Sequence, residues 1–288
     1  MPYGVSCFLF GKVVSILFDT FENIARTSPL VHYITNYVTV HDVANITLAA
    51  GASPIMADDE AEAAEITALA STLCLNIGTM NRRTIPSMLT AAQKAAELHH
   101  PIVLDPVGAG ATALRTKTAL DILSGGNVTC LRGNISEIKA LAAGSGHTQG
   151  VDAAAEDRVT EANLPRAVSF AKDTSKALGT TVAITGALDL VTDGEKCYVI
   201  RNGRPEMNRI TGTGCQCSAL VAACIAANQD RPLEAAATAV IAMGLAGEIA
   251  YEHLQPEEGN VSYGRRIIDA VCHLDQASLE QGAKYEIF

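Results

Sequence analysis

No basic run interrupts this 288-residue chain, and 21 Lys and Arg against 31 Asp and Glu leave a formal charge of −10. Sequence-independent attraction to nucleic acid or to an anionic lipid surface is therefore not expected. A polyanionic ligand would need local positive help from a helix terminus, an arginine or a metal ion. Paired zinc spacing is also lacking. The eight cysteines, at 7, 74, 130, 197, 215, 217, 224 and 272, are scattered through apolar segments. Cys215-Gln216-Cys217 is too tight for a zinc knuckle and no second pair follows, so a metal–thiolate site is not expected and a reduced cytosol is the simplest setting. There is no internal repeat, linker or low-complexity tract. The first eighteen residues hold two apolar pieces, Val5 to Phe10 and Val13 to Phe18, but Lys12 separates them and no basic start precedes them. That argues against a signal peptide or a membrane span.

What is present suits a large core. The chain is 48% hydrophobic and only 18% charged, far from a disordered composition, and a single α/β domain accommodates its length. Val13, Ile16, Leu17, Phe21 and Ile24 recur at helical spacing. Residues 1–28 are therefore expected to be a helical extension that lays one apolar stripe on the body or on a neighbouring subunit, with residues 29–288 forming the domain proper.

From about Val31 onward short apolar runs alternate with alanine-rich helical patterns. Ser53 to Met56, Thr72 to Ile77, Pro101 to Leu104, Val128 to Leu131 and Thr181 to Ile184 are short enough for strands covered on both faces. Between them Val40 to Ala50, Glu60 to Ala70, Arg82 to His99, Thr112 to Leu123, Ile135 to Ala142 and Leu164 to Leu178 read as helices. A doubly wound parallel sheet follows from that order. Leu188 to Thr192 and Lys196 to Ile200 flank Asp193-Gly194, which predicts an antiparallel hairpin edge. The remainder reads as helix: the segment after Gly214, then Leu233 to Leu254 behind Pro232, then Tyr263 to Glu280. Gly144 to Asp157 is small and polar and reads as a surface loop.

Ligands of open parallel sheets bind at the carboxyl ends of strands, so residues following each apolar run are the ones to inspect. Leu104 leads into Asp105-Pro106-Val107-Gly108-Ala109-Gly110, Leu131 into Arg132-Gly133-Asn134, and Ile184 into Thr185-Gly186. Thr211-Gly212-Thr213-Gly214-Cys215 then runs into an apolar helix, so glycine-permitted turning would leave free N–H groups where a phosphate could sit. Cys215 stands at that positive helix end as a potential proton acceptor. The loop lacks the Lys-Ser/Thr tail of a P-loop and the third glycine of a dinucleotide fingerprint. Bland readings stand beside these: Asp105 before Pro106 is also turn chemistry, Asn134 to Glu137 has capping-box spacing, and a cysteine is often a small buried hydrophobe.

With these residues in view, the chain resembles the hydroxyethylthiazole kinases of the ribokinase-like superfamily. The stretches that carry the resemblance are His32 to Val38, Ala44-Asn45, Gly51 to Ala57, Asn76-Ile77-Gly78-Thr79, Asp105 to Gly110, Arg132 to Glu137 and Gly212 to Cys215. They span nearly everything after Pro29. The resemblance implies a three-layer ribokinase-like fold, a mostly parallel central sheet with helices on both faces. It implies transfer of the γ-phosphoryl group of ATP to 4-methyl-5-(2-hydroxyethyl)thiazole, a salvage step toward thiamine, by a cytoplasmic homotrimer with sites at subunit interfaces.

By the same resemblance Met56, Asn36 and Gly212 face the thiazole, and Arg132, Thr185 and Asp105 face ATP. Asp105 and Glu137 act through Mg²⁺. Ribokinase-like relatives generally carry aspartate where this chain has Cys215, although cysteine is familiar among thiazole kinases. On this reading Cys215 takes the proton of the acceptor hydroxyl, while the Gly212, Thr213 and Gly214 amides, Arg132 and Mg²⁺ stabilise the transferring group. A kinase for hydroxymethylpyrimidine, pyridoxal or a sugar, an ADP-coupled hydratase or dehydratase, and a non-catalytic nucleotide-binding subunit remain the alternatives.

Overall fold

Nine strands form one sheet in the order β2-β1-β3-β4-β5-β6-β7-β8-β9 in the computed structural model, which describes residues 6–144 and 158–288, with side chains from residue 17. The strands are β1 (Leu30–Ile34), β2 (Ser53–Met56), β3 (Thr72–Asn76), β4 (Ile102–Asp105), β5 (Cys130–Gly133), β6 (Thr181–Ile184), β7 (Asp189–Thr192), β8 (Cys197–Ile200) and β9 (Tyr285–Ile287). Pairing from β2 across to β6 is parallel, and β7, β8 and β9 add antiparallel to the β6 edge. The mostly parallel sheet with an antiparallel edge is as the sequence predicts.

The strands are aliphatic on both faces because helices cover both. Side chains alternate across the sheet: Val31, Tyr33, Cys74, Val103 and Ala183 enter one core, while Leu73, Leu75, Ile102, Leu104, Val182 and Ile184 enter the other. The first core is closed by α1 (Ser6–Thr27), α2 (Val40–Ala49), α8 (Thr213–Ala227), α9 (Pro232–Glu252), α10 (Asn260–Cys272) and α11 (Gln276–Gly282). The second is closed by α3 (Ala63–Leu69), α4 (Thr84–Glu97), α5 (Ala113–Gly125), α6 (Ile135–Gly144) and α7 (Leu164–Leu178). Helices α8 and α9 are apolar almost all round because they lie inside the first layer. Among the described residues, α9 is the one helix long and apolar enough to cross a membrane, and 83% of its apolar window is buried inside the protein.

Four features depart from the sequence reading. The strand β1 was not among the predicted runs, since His32 and Tyr33 break its aliphatic signal. Both are buried with their polar atoms satisfied, His32 by Thr67 Oγ1 and the Ala57 carbonyl and Tyr33 by Thr47 Oγ1. The helix expected over Tyr263 to Glu280 is two helices, broken where Asp275 accepts from the Ser278 N–H and Ser278 Oγ from the Asp275 N–H, a reciprocal capping box. The hairpin loop has four residues, because Asp193 Oδ1 gathers the N–H groups of Glu195 and Lys196 while Gly194 takes φ +94. The short strand β9 was unforeseen. From residue 145 on, the loop expected over Gly144 to Asp157 lies outside the described residues.

The second half of α1 belongs to the core. Leu17, Phe18, Phe21 and Ile24 are buried against α8 and α9, and Thr20 Oγ1 donates to Thr238 Oγ1 of α9 at 2.8 Å.

Candidate active site

The chain moves outward from β1 to β2 and then crosses back to β3, so the strand order reverses between β1 and β3. That switch point lies at the carboxyl ends of those two strands, the place where open α/β sheets bind ligands. Asn36 follows β1, Asn76 ends β3, and Asp105 ends the adjacent β4. Helix α8 packs across the same strands and begins at this edge. It starts at Thr213 because Gly212 takes φ +91, and a side chain there would meet Thr39 Cγ2 at 2.6 Å. The first intrahelical bond is Gln216 N–H to the Gly212 carbonyl at 2.9 Å, so the N–H groups of Thr213, Gly214 and Cys215 open the helix without helical acceptors. These are the amides at which the sequence reading expects a phosphate.

On one side of this helix end lies a charged group. Asp105 is fully buried, and its Oδ2 accepts from Asn76 Nδ2 at 2.7 Å and Ser218 Oγ at 2.9 Å, with Arg132 Nη1 3.7 Å away. Burial pushes its carboxyl up to about 6, against the opposing pull of Arg132. Its Oδ1 is buried with no protein partner. The Arg132 guanidinium extends from β5, donates through Nη2 to Thr185 Oγ1, and lies against Gly214, where an added Cβ would meet Nη1 at 2.7 Å. Glycine at 214 thus lets an arginine reach the helix terminus. Asp189 braces the Thr185 loop by accepting from the Gly186 N–H at 2.7 Å, and burial raises its carboxyl to about 7.

Cys215 lies on the other side, half-buried. Its sulfur receives N–H groups from two amides, Asn36 Nδ2 and Asn76 Nδ2, each at 3.2 Å. Asn36 Oδ1 in turn accepts from the Thr39 N–H and hydroxyl. Cys217 and Cys224 are core thiols whose ionisation burial opposes, Cys217 pushed up to about 11 and Cys224 further still.

Glu137 takes the capping place that its spacing from Asn134 allowed. Its Oε2 accepts from the Asn134 N–H at 2.8 Å while Asn134 Oδ1 accepts from the Glu137 N–H at 2.9 Å, the reciprocal cap suggested by the spacing. Its Oε1 meanwhile holds the Gly108 N–H at 2.8 Å and so ties the loop after β4 to the start of α6. Arg115, unforeseen in the sequence, fastens the same loop to the one after β3 through the carbonyls of Val107, Ile77 and Gly78.

Asn36, Asp105, Arg132, Thr185, Gly214 and Cys215 therefore form one connected group, joined by Asn76 and Ser218. Glu137 reaches it through Gly108. Met56 ends the edge strand β2, half-buried and in register with Tyr33, and is not among the residues that this group links by hydrogen bonds. Sequence reasoning overlooked the roles of Asn76, Ser218 and Asp189. Ser218 carries a usable signal, since it lies three residues after Cys215 and hence on the same helix face. For a divalent cation, the unpartnered buried Oδ1 of Asp105 is a fitting donor; both oxygens of Glu137 already hold backbone N–H groups. Among the described residues no group of three or more His, Cys, Asp or Glu side chains forms a ready-made cage.

Residues 21–277 match the Hydroxyethylthiazole kinase family. The chain is 53% identical over 273 residues to a hydroxyethylthiazole kinase of Clostridium acetobutylicum, covering 95% of this chain and all of the relative. It is 44% identical to one of Alkaliphilus oremlandii, covering 92% and 95%. Among solved structures, hydroxyethylthiazole kinase from Pyrococcus horikoshii superposes with a TM-score of 0.85 at 36% identity, covering 95% of this chain and 99% of that one. A Staphylococcus aureus pyridoxal kinase in complex with pyridoxal, at 14% identity and a TM-score of 0.58 over 90% and 97%, shares the fold.

Proposed function

The chain belongs to the hydroxyethylthiazole kinase family, and from that membership we propose that it transfers the γ-phosphoryl group of ATP to the hydroxyl of 4-methyl-5-(2-hydroxyethyl)thiazole, yielding the thiazole phosphate and ADP in thiamine salvage. One observation carries the reading at the level of the site. The first turn of α8 presents Cys215 to Asn36 and Gly214 to Arg132, so a single helix start joins an acceptor side to a nucleotide side.

The acceptor lies between Asn36, Met56 and Gly212, with its hydroxyl directed at Cys215 Sγ. The nucleotide phosphates lie against Arg132, Thr185 and the amides of Gly212, Thr213 and Gly214. As the hydroxyl oxygen bonds to the γ-phosphorus, the bond from that phosphorus to the β–γ bridging oxygen breaks and its electron pair leaves with ADP. The hydroxyl proton passes to the Cys215 sulfur, which turns from thiolate to thiol. Transfer of this kind runs through a loose transition state, so positioning and charge neutralisation by Arg132 and the helix amides supply most of the acceleration and the proton acceptor adds to it. Asp105, through its free Oδ1, and Glu137, whose oxygens each keep a second lone pair beside the N–H they hold, would hold Mg²⁺, whose charge would neutralise the phosphates.

The same reading includes a cytoplasmic homotrimer with each site at a subunit boundary. Exposed Tyr37 (76%), Val38 (58%) and Leu48 (57%) support it, since two of them directly follow Asn36 and would otherwise leave an apolar rim beside the site in water.

The test is to incubate the purified protein with ATP, Mg²⁺ and a panel of alcohols and to identify the products by mass spectrometry. Phosphorylated thiazole alcohol as the dominant product is expected. Preference for hydroxymethylpyrimidine, pyridoxal or a sugar, or ADP release without a phosphorylated alcohol, overturns the reading.

A further inference from the structure

We propose that Asn76 is a positioning residue for phosphoryl transfer, holding the Cys215 sulfur as a hydrogen-bond acceptor and tying it to Asp105 through one side-chain amide. The inference rests on the reading of Cys215 as the proton acceptor and extends it to a residue whose partners lie on three other segments.

Every hydrogen of the two amides is assigned. Asn76 Nδ2 gives one to Asp105 Oδ2 at 2.7 Å and one to Cys215 Sγ at 3.2 Å. Asn36 Nδ2 gives one to Asn76 Oδ1 at 3.1 Å and one to Cys215 Sγ at 3.2 Å. Neither amide can be turned over without loss. Asn76 Oδ1 accepts from the Gly78 N–H at 2.9 Å, so a reversed amide would set a donor against that N–H and an oxygen against the Asp105 carboxylate. Asn36 Oδ1 accepts from the Thr39 N–H at 3.1 Å and the Thr39 hydroxyl at 3.0 Å, with the same consequence. Backbone donors, which cannot change sign, thus set both orientations.

The outcome is a sulfur that meets two N–H donors from the described residues. Such a site favours a sulfur that accepts, and Cys215 is partly exposed, so an incoming O–H can reach it. The bond to Asp105 makes the arrangement directional: a negative carboxylate holds one hydrogen of Asn76 Nδ2 and thereby turns the other toward the sulfur. Asn76 is 2% exposed and Asp105 fully buried, so water does not compete for the bond between them.

Two measurements on the full-length protein test this. The first follows iodoacetamide labelling of Cys215 at pH 7, by mass spectrometry of the peptide that carries it. Loss of one hydrogen bond to an anionic sulfur should slow labelling about tenfold in Asn76→Ala, with Asn76→Ser, which keeps one donor, between the two. Unchanged labelling in a folded variant overturns the proposal. Should Asn76→Ala fail to fold, Asn76→Ser provides the same comparison. The second is a double-mutant cycle on kcat with saturating substrates. Asn76→Ala should lower kcat about tenfold when Cys215 is present and less than twofold in a Cys215→Ala background. Equal losses in both backgrounds, which a purely structural role produces, overturn it, as does slowed labelling with kcat unaltered. The labelling measurement needs no substrate. A wild-type protein inactive on the thiazole alcohol would therefore sink the proposed reaction while leaving the Asn76 to Cys215 bond separately measurable.

Discussion

Cys215 and Asp105 show how the surroundings decide what a side chain does. Cys215 shares its helix with two other cysteines that are locked in the apolar core, yet only it meets amide donors at a strand edge. Aspartate at 215 would present an acceptor to the same two amides and is charged at neutral pH, so Cys215→Asp should keep or raise kcat. Cys215→Ala should lower it by about a hundredfold, the lower end for a general base. Full kcat in Cys215→Ala with saturating substrates sinks the proton-acceptor role. Asp105 carries a stability cost of its own. Its folded-state carboxyl titrates at about 6 in place of 3.8, so between those values the folded protein retains a proton that the unfolded chain has released. Stability attributable to this group is therefore present below pH 4 and falls as pH rises through 6, by about 3 kcal/mol at 1.36 kcal/mol per unit. In metal-free protein, Asp105→Asn should match wild type near pH 4 in urea unfolding, exceed it by up to about 3 kcal/mol above pH 7, and lose kinase activity. A stability difference independent of pH sinks this account.

Helices here contribute by their ends as much as by their faces. The start of α8 supplies the amides, the start of α6 supplies Glu137 as both its own cap and a clamp on the loop after β4, and the start of α5 supplies Arg115, which joins two strand-end loops. The face of α1 has a different task. Leu17 is fully enclosed against α8, whose start carries the site, and against α9, and the Thr20 to Thr238 bond anchors the contact with α9. Leu17→Ala should cost about 2–5 kcal/mol, the range for emptying a buried leucine site. Chemical denaturation measures it directly. A change below about 0.5 kcal/mol would mean that the helix does not hold this place in solution, whereas a full loss would show that the opening helix is integral to the folded unit.

At the scale of the molecule, the sheet ends in a parallel pair on one side and an antiparallel pair on the other. Among the described residues, β2 is the outer strand of the parallel side, with Met56 at its end, and β9 is the outer strand of the antiparallel side. The proposed trimer would bring a neighbouring copy against the rim of Tyr37, Val38 and Leu48. Sedimentation equilibrium should therefore return a mass near three times 30.1 kDa, and Tyr37→Glu with Val38→Glu should shift it toward the monomer and raise KM for the thiazole more than for ATP. A wild-type monomer at micromolar concentration with full activity would refute the assembly and the shared site together.

Local pattern was enough for the strands and helices whose stability comes from their own apolar periodicity. Thr181–Ile184 and Leu164–Leu178 are found at the residues read from the sequence, and the strand-end rule pointed to Asp105, Arg132 and Thr185 before any fold was known. Wherever polar atoms are satisfied by remote segments, that pattern was silent. His32 and Tyr33 hid β1 because their partners Thr67, Ala57 and Thr47 lie elsewhere in the chain, and Asn76 showed no role because its sulfur partner is 139 residues away. Hydrophobic burial is written into composition and spacing one residue at a time, whereas a hydrogen-bond network exists only after folding has brought its donors and acceptors within about 3 Å of each other. The layers of this protein could be read from the chain; the wiring of Cys215, Asn76 and Asp105 came into being with the switch point between β1 and β3.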